Sequence, residues 1–277
     1  MNDLVGFYEG KTAAILRRYG PGPRVHYHTG IMEDGPKPGA SIEELRLNLV
    51  NSQERLLWHA SHLWGVKEAP FKDVLDVGCG LGGGSIFWAQ EFGAFVTAVT
   101  IAPSHIELVG AFAAQAGVAA QVHPLLCDAL LAPGESRFDA AVAIDSSSSF
   151  ARRPWFWRLA RVLRRHGRVL IFDCFLGRRN YEEPFNRHWC AQIGSLEEYV
   201  SGALEAGFTL EMIEDVSTQA IHFWDTSIAL IRAEALGNTA SAPERTKLSE
   251  SLRIHTLVRQ GVSDGGLSHR LMSFRRA

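Results

Sequence analysis

The chain has 277 residues, 46% of them hydrophobic, and a formal net charge of −2, enough to bury one full α/β core with accessory elements as one elaborated domain. That balance gives no general attraction to nucleic acid or an anionic membrane surface. No apolar stretch is long enough to span a bilayer, and residues 1–18 lack the basic start and apolar block of an export signal, so the expected location is the cytoplasm. The cysteines, Cys79, Cys127, Cys174 and Cys190, form no CxxC pair, so free thiols and no zinc site are expected.

In chain order, residues 3–18 carry apolar positions at Leu4, Phe7, Tyr8, Ala14 and Ile15, the spacing of an amphipathic helix. Such a helix is too short to stand alone in water and must lie on its own subunit or on a neighbour. Tyr19-Gly20-Pro21-Gly22-Pro23 stops it. The next segment, Arg24-Val25-His26-Tyr27-His28-Thr29-Gly30, gathers polar rings that no hydrophobic period explains and reads as part of a lid over a site. Its HxH pair lacks an identifiable third ligand, and no metal is expected. A Pro/Gly linker at 33–40 precedes a long helix at 42–64, opened by a capping box of Ser41 and Glu44.

The chain is organised around residues 72–85, KDVLDVGCGLGGGS. A buried strand ends in Asp76 and Val77, followed by five glycines in seven residues and then a helix. A strand, a glycine turn and a helix N-terminus make a nucleotide cradle. Without GxxxxGK[ST] there is no phosphate-gripping lysine. Asp76 would repel a dinucleotide pyrophosphate and attract a ligand carrying an amine and a sulfonium.

Further strands are expected at 94–99, 121–127, 138–144 and 168–173, with helices at 103–116, 155–165 and 196–206. Two β-rich runs, 208–216 and 227–231, read as a terminal antiparallel pair, and 244–258 as a helix. The fold expected is a doubly wound, Rossmann-like, mostly parallel α/β sheet of seven strands with an N-terminal helical lid. Its division is 1–64 for the N-terminal helices and lid, 65–235 for the core, and 236–277 for a helical tail.

Ligands of open α/β sheets sit at the carboxyl ends of the strands. Those ends supply Asp76, Gly78, Cys79, Gly80, Thr100, Ile101, Cys127, Asp128, Ala129 and Asp145. Asp128 is placed to accept from an adenine amino group, and its plain alternative is a loop carboxylate or helix cap.

VLDVGCGLGG resembles motif I of class I S-adenosylmethionine (SAM) methyltransferases, which implies SAM as cofactor. Val99-Thr100-Ile101-Ala102-Pro103-Ser104-His105 resembles the VTLSxxQ segment of SAM enzymes that methylate alkenes or lipids, in which the threonine and glutamine approach the ribose. His105 stands where the glutamine would be. His26-Tyr27-His28-Thr29-Gly30 is similar to the YHHHYG segment of geranyl diphosphate C-methyltransferases, and Asp145-Ser146-Ser147 falls where those enzymes have Glu-Ser. A related group, the teleocidin-type indole-terpenoid C-methyltransferases, exchanges a leading helix between subunits. The resemblance therefore implies a homo-oligomer, with helix exchange at residues 3–18.

The function expected from this resemblance is SAM-dependent methylation of an alkene carbon of a prenyl group, with an isoprenoid or prenylated indole acceptor and a cation cyclisation to follow. Asp145, His26, His28 and Tyr27 are the candidate catalytic residues. Tyr19, Phe150, Tyr181, His188, Trp189, Phe223 and Trp224 are the candidate acceptor residues, since rings and a carboxylate stabilise a cation. Alternatives are a prenyl diphosphate acceptor, for which Arg24, Arg178, Arg179 and Arg187 are available, a small-molecule O- or N-methyltransferase, and a non-catalytic SAM-binding protein. A dehydrogenase is opposed by Asp76 and Thr100. Neither a nucleic-acid nor a membrane partner is expected.

Overall fold

The computed structural model describes residues 2–236 and 242–277. Its centre is a seven-stranded sheet in the order β3-β2-β1-β4-β5-β7-β6. The strands are β1 Asp73–Val77, β2 Phe95–Thr100, β3 Val122–Leu126, β4 Phe138–Ile144, β5 Leu163–Leu176, β6 Phe208–Asp215 and β7 Leu267–Arg276. The first five run parallel, and β7 is antiparallel to both its neighbours.

The run Asp-Val-Leu-Asp-Val of β1 is buried on four consecutive residues, Val74 to Val77, because helices cover both faces of the sheet. Successive side chains divide between two cores. Val74, Leu170 and Leu271 pack on one face, and Leu75, Ile171 and Met272 on the other.

Helices α1 Asn2–Tyr19 and α2 Ile42–Leu63 precede the sheet. The expected capping box at α2 is present: the Ser41 hydroxyl accepts from the Glu44 N–H at 3.2 Å, and the Glu44 carboxylate accepts from the Ser41 N–H at 2.8 Å. Helix α1 lies on its own chain. There the Ser104 N–H donates to the Glu9 carboxylate at 3.0 Å, and Arg18 pairs with Glu234 at 2.7 Å. Crossovers α3 Gly83–Phe92, α4 Pro103–Gln115, α5 Arg152–Val162 and α7 Leu196–Glu205 follow, with α6 Glu182–Trp189 before the last of these.

Two expectations are corrected at the C-terminal end. Residues 227–231 are not a strand: they lie within helix α8, Ser217–Leu236. That helix is buried among α2, the sheet and helix α9, Ala242–Ser263, so its apolar residues run together and mask the helical period. The antiparallel partner is β7, within the segment expected to be a helical tail. Its sequence, LSHRLMSFRR, is diluted by serine and arginine, yet nine of its residues pair with β5. The tail and the core are thus one packed unit. No helix among the described residues is long and apolar enough to cross a membrane.

Phe274 on β7 is fully buried against Phe156 at 5.5 Å between ring centroids. Phe274→Ala should lower stability by about 3–5 kcal/mol, read as a fall in the denaturant midpoint. An unchanged midpoint would make β7 dispensable.

Candidate active site

The sheet order reverses between β1 and β4, so the crevice at their carboxyl ends is where an α/β sheet binds ligands. A cavity of about 340 Å³ opens there. All ten strand-end and motif residues singled out for the cofactor line it: Asp76, Gly78, Cys79, Gly80, Thr100, Ile101, His105, Cys127, Asp128 and Ala129.

The glycine bend is held by the Gly78 and Cys79 N–H groups, which donate to the Val99 carbonyl at 3.0 and 2.9 Å. Gly78 has φ +82°, and a Cβ there would lie 2.6 Å from the Ser146 Cβ, so no other residue fits without displacement. Beside the bend, Asp76 is buried and accepts from the Ser85 hydroxyl at 2.5 Å. Burial raises its pKa to about 6, against the smaller lowering effect of that hydrogen bond. A buried carboxylate with one neutral partner, facing a cradle built of backbone, fits the ammonium of SAM. Asp128 accepts from the Leu130 N–H at 2.8 Å and so caps a 3-10 turn while lining the cavity, which realises the plain alternative together with the placement. The Thr100 hydroxyl accepts from Ala102 N–H at 3.2 Å, and His105 Nε2 meets the Thr12 hydroxyl of α1 at 3.0 Å.

The expected lid, residues 24–30, forms a fixed wall. His26 Nε2 donates to the Glu54 carboxylate at 2.8 Å, and the Gln53 amide donates to the His28 carbonyl at 2.7 Å. A Cβ on Gly83 would come within 2.5 Å of the Val25 carbonyl, so the wall rests directly on the start of α3. His28 Nδ1 lies 2.8 Å from the Thr29 carbonyl, which only accepts; the proton is therefore on Nδ1, and Nε2 is a buried, unpartnered lone pair. Burial, helped by His26, lowers the pKa of His28 to about 3.

Asp145 ends β4 in the left-handed region, φ +45°, and accepts from the Thr29 N–H at 2.5 Å. A second buried acid, Asp173, ends the matching stretch of β5. It accepts from the Ser147 hydroxyl at 2.6 Å and from the Ser148 and Cys174 N–H groups at 2.9 and 2.8 Å. Burial raises both carboxyls, and the charge of Asp173 raises Asp145 further. With three donors on Asp173, the pair keeps its negative charge there and its proton on Asp145.

Of the candidate acceptor residues, Tyr19, Phe150, Trp189, Phe223 and Trp224 line the cavity, as do Tyr27, His26 and His28. Two do not. The Tyr181 hydroxyl donates to Asp264 at 2.6 Å, and its ring packs on the glycines before β7. His188 falls off the inward stripe of α6, which is Phe185 and Trp189 at i,i+4 spacing, and faces Lys11 and Arg253. The cavity also takes Tyr8 of α1, Asp173, and His269 of β7, none of which was singled out from sequence. Asp173 sits at a recognisable strand end, and Tyr8 lies on the apolar stripe of its helix. His269 had no such signal.

This sheet order with its reversed β7, and a glycine bend beside a buried acid, define the class I methyltransferase fold. Residues 74–167 match the family described as "Methyltransferase domain". The chain is similar to geranyl diphosphate 2-C-methyltransferase of Streptomyces lasalocidi, 27% identical over 233 residues, 81% of this chain and 73% of that protein. It is 31% identical over 148 residues to a probable chloroplastic tocopherol O-methyltransferase of Oryza sativa subsp. japonica, covering 53% of this chain and 40% of that protein. A geranyl diphosphate methyltransferase solved with GPP and sinefungin superposes with a TM-score of 0.83 at 20% identity, over 100% of this chain and 98% of that one. Residues 74–167 thus carry a methyltransferase domain, and the chain as a whole resembles prenyl C-methyltransferases in sequence and fold.

An acid whose folded-state pKa is raised keeps a proton that the unfolded chain has released. The contribution of Asp76 to stability is therefore full below its ordinary value and lost as the pH rises through about 6. Ligand binding has the opposite sense, because an ammonium needs the ionised form. SAM affinity should rise as the pH passes about 6. Asp76→Asn should weaken binding by about tenfold or more and flatten that profile. Calorimetry over a pH series checks this, and a slope that survives in the variant would place the titrating group elsewhere.

Proposed function

We propose that the protein is a cytoplasmic, SAM-dependent C-methyltransferase of specialised metabolism, which methylates an alkene carbon of a prenyl group on a neutral acceptor, a prenylated indole alkaloid or related terpenoid. The observation that carries this reading is the character of the cavity. Its wall is rich in aromatic rings and contains buried acids and imidazoles, but neither lysine nor arginine occurs among the described residues lining it. A free diphosphate would meet carboxylates there. Of the four arginines named for a clamp, three are engaged elsewhere: Arg24 with Glu54 and Glu91, Arg178 with Asp264, and Arg187 with Glu183.

SAM supplies an electrophilic methyl group. Asp76 holds the ammonium end, and Asp128 with Ala129 the adenine. As the alkene π pair forms the new carbon–carbon bond and the carbon–sulfur bond breaks, a tertiary cation is left on the acceptor. The rings stabilise it, with the negative charge of the Asp145 and Asp173 pair, held on Asp173, at the same cavity. The lone pair of His28 Nε2 then takes a proton from the neighbouring carbon and restores an alkene, unless a second double bond attacks first and closes a ring. Tyr27 and His26 hold this wall in position. A non-catalytic SAM binder would need the methyl side of the cofactor seat closed, whereas one cavity joins Asp76 to Asp145 and Trp224.

A second reading, a geranyl diphosphate acceptor, draws support from the relatives and not from the cavity wall. The same proposal includes a homo-oligomer with exchanged α1 helices. Leu4, Tyr8, Ile15 and Tyr19 close one side of the cavity, and the helix of a second copy can take that seat with the same contacts.

Incubation with methyl-labelled SAM and separate panels of prenylated indoles, prenyl diphosphates with magnesium, and small phenols and amines, followed by mass analysis, tests the acceptor. Label on a prenyl carbon of the indoles is expected. Label in the diphosphates alone would favour the second reading, and label only on oxygen or nitrogen would reject both. Asp145→Ala should lower turnover by about a hundredfold with little change in SAM affinity, whereas Asp128→Ala should weaken SAM binding by about tenfold. Unchanged SAM affinity in Asp128→Ala, by calorimetry, would remove the adenine assignment.

A further inference from the structure

The far end of the cavity is built on β7, where His269 pairs across the sheet with Cys174. Its imidazole is almost wholly buried and stacks within 19° of parallel on Phe172 at 5.8 Å. Trp224 of α8 places its indole Nε1 3.0 Å from His269 Nε2. An indole N–H only donates, so His269 Nε2 must accept and the ring proton must sit on Nδ1. That Nδ1–H is a buried donor without a partner among the described residues, on a side chain that lines the cavity. A buried N–H left unpaired is costly, and one fixed in direction by a neighbouring ring is a preformed recognition group.

We propose that His269 is a specificity residue: its Nδ1–H donates a hydrogen bond to a neutral oxygen acceptor, a carbonyl or ether, on the body of the acceptor molecule away from the prenyl alkene. Trp224 is the positioning residue that fixes the tautomer. The inference rests on the neutral-acceptor reading above and deepens it, since a hydrocarbon tail alone leaves this donor unpaired. Burial also lowers the pKa of His269 to about 3, so the ring is neutral at physiological pH and offers one hydrogen bond, not a charge.

The test uses the full chain loaded with S-adenosylhomocysteine and two probes: a geranylindole carrying an acetyl group on the ring, and the same molecule with ethyl in its place. Calorimetry should show the acetyl probe bound about tenfold more tightly by the native protein. His269→Phe, which keeps the stack on Phe172, should abolish that preference with unchanged affinity for S-adenosylhomocysteine, and His269→Asn should restore part of it. Trp224→Phe keeps the histidine but frees its tautomer. It should reduce the preference, and nitrogen-15 NMR of labelled histidine should show the Nδ1–H form in the native protein and a mixture in the variant. Equal affinities for the two probes, a preference that survives His269→Phe, or an Nε2–H tautomer in the native protein would each overturn the inference. Failure of the native protein to bind either probe would instead overturn the acceptor class on which it rests.

Discussion

The fold depends on keeping carboxylates dry at the carboxyl ends of its central strands. Asp76, Asp145 and Asp173 sit where β1, β4 and β5 deliver them, the first and last buried and Asp145 half-buried, and all are pushed toward their neutral forms by desolvation. A buried acid is tolerated only when hydrogen bonds or a positive partner compensate it. Hydrogen bonding compensates Asp173 with three donors. Asp76 has one, from Ser85, which leaves it room for a cationic partner. The gradient from the fully satisfied acid to the nearly unsatisfied one separates the part of the crevice that is structure from the part that binds.

The N-terminal wall follows from the same constraint. Thr29 gives its N–H to Asp145, and the segment before it is tied through His26 and Gln53 to α2, so the ring-bearing residues cannot swing clear without breaking hydrogen bonds to buried groups. Helix α1 then closes the remaining side by packing, with Tyr8 and Tyr19 turned to the cavity. Both walls of the cavity are thereby in place in the resting fold.

The cofactor half was legible in the sequence because its requirements are local. A glycine at Gly78 answers to a close approach by Ser146, the acid at Asp76 falls inside the strand that leads into the bend, and the strand ends follow from short apolar runs. The acceptor half was legible only in part, because it is assembled from distant segments. Phe223 and Trp224, which line the cavity, fell between two runs read as strands and were given no element, since a helix buried on several sides loses its period. Tyr181 and His188 were chosen for chemistry alone, and the packing of α6 and the turn before it sends them elsewhere. β7 was missed because its polar residues break the alternation, although its pairing with two strands forces it into the sheet.

Two histidines face the same cavity with opposite polarity, and neighbouring groups rather than pH set the difference. The Thr29 carbonyl accepts from His28 Nδ1, which leaves Nε2 as a lone pair, while the Trp224 indole donates to His269 Nε2, which leaves Nδ1–H as a donor. Burial keeps both rings neutral, so neither adds a fixed positive charge to a space where one is to be created. The negative charge of the Asp145 and Asp173 pair lies on the same cavity as the carboxyls of Asp76 and Asp128. Two neutral polar groups of opposite sense thus line one cavity, where they can orient a ligand without adding charge to it.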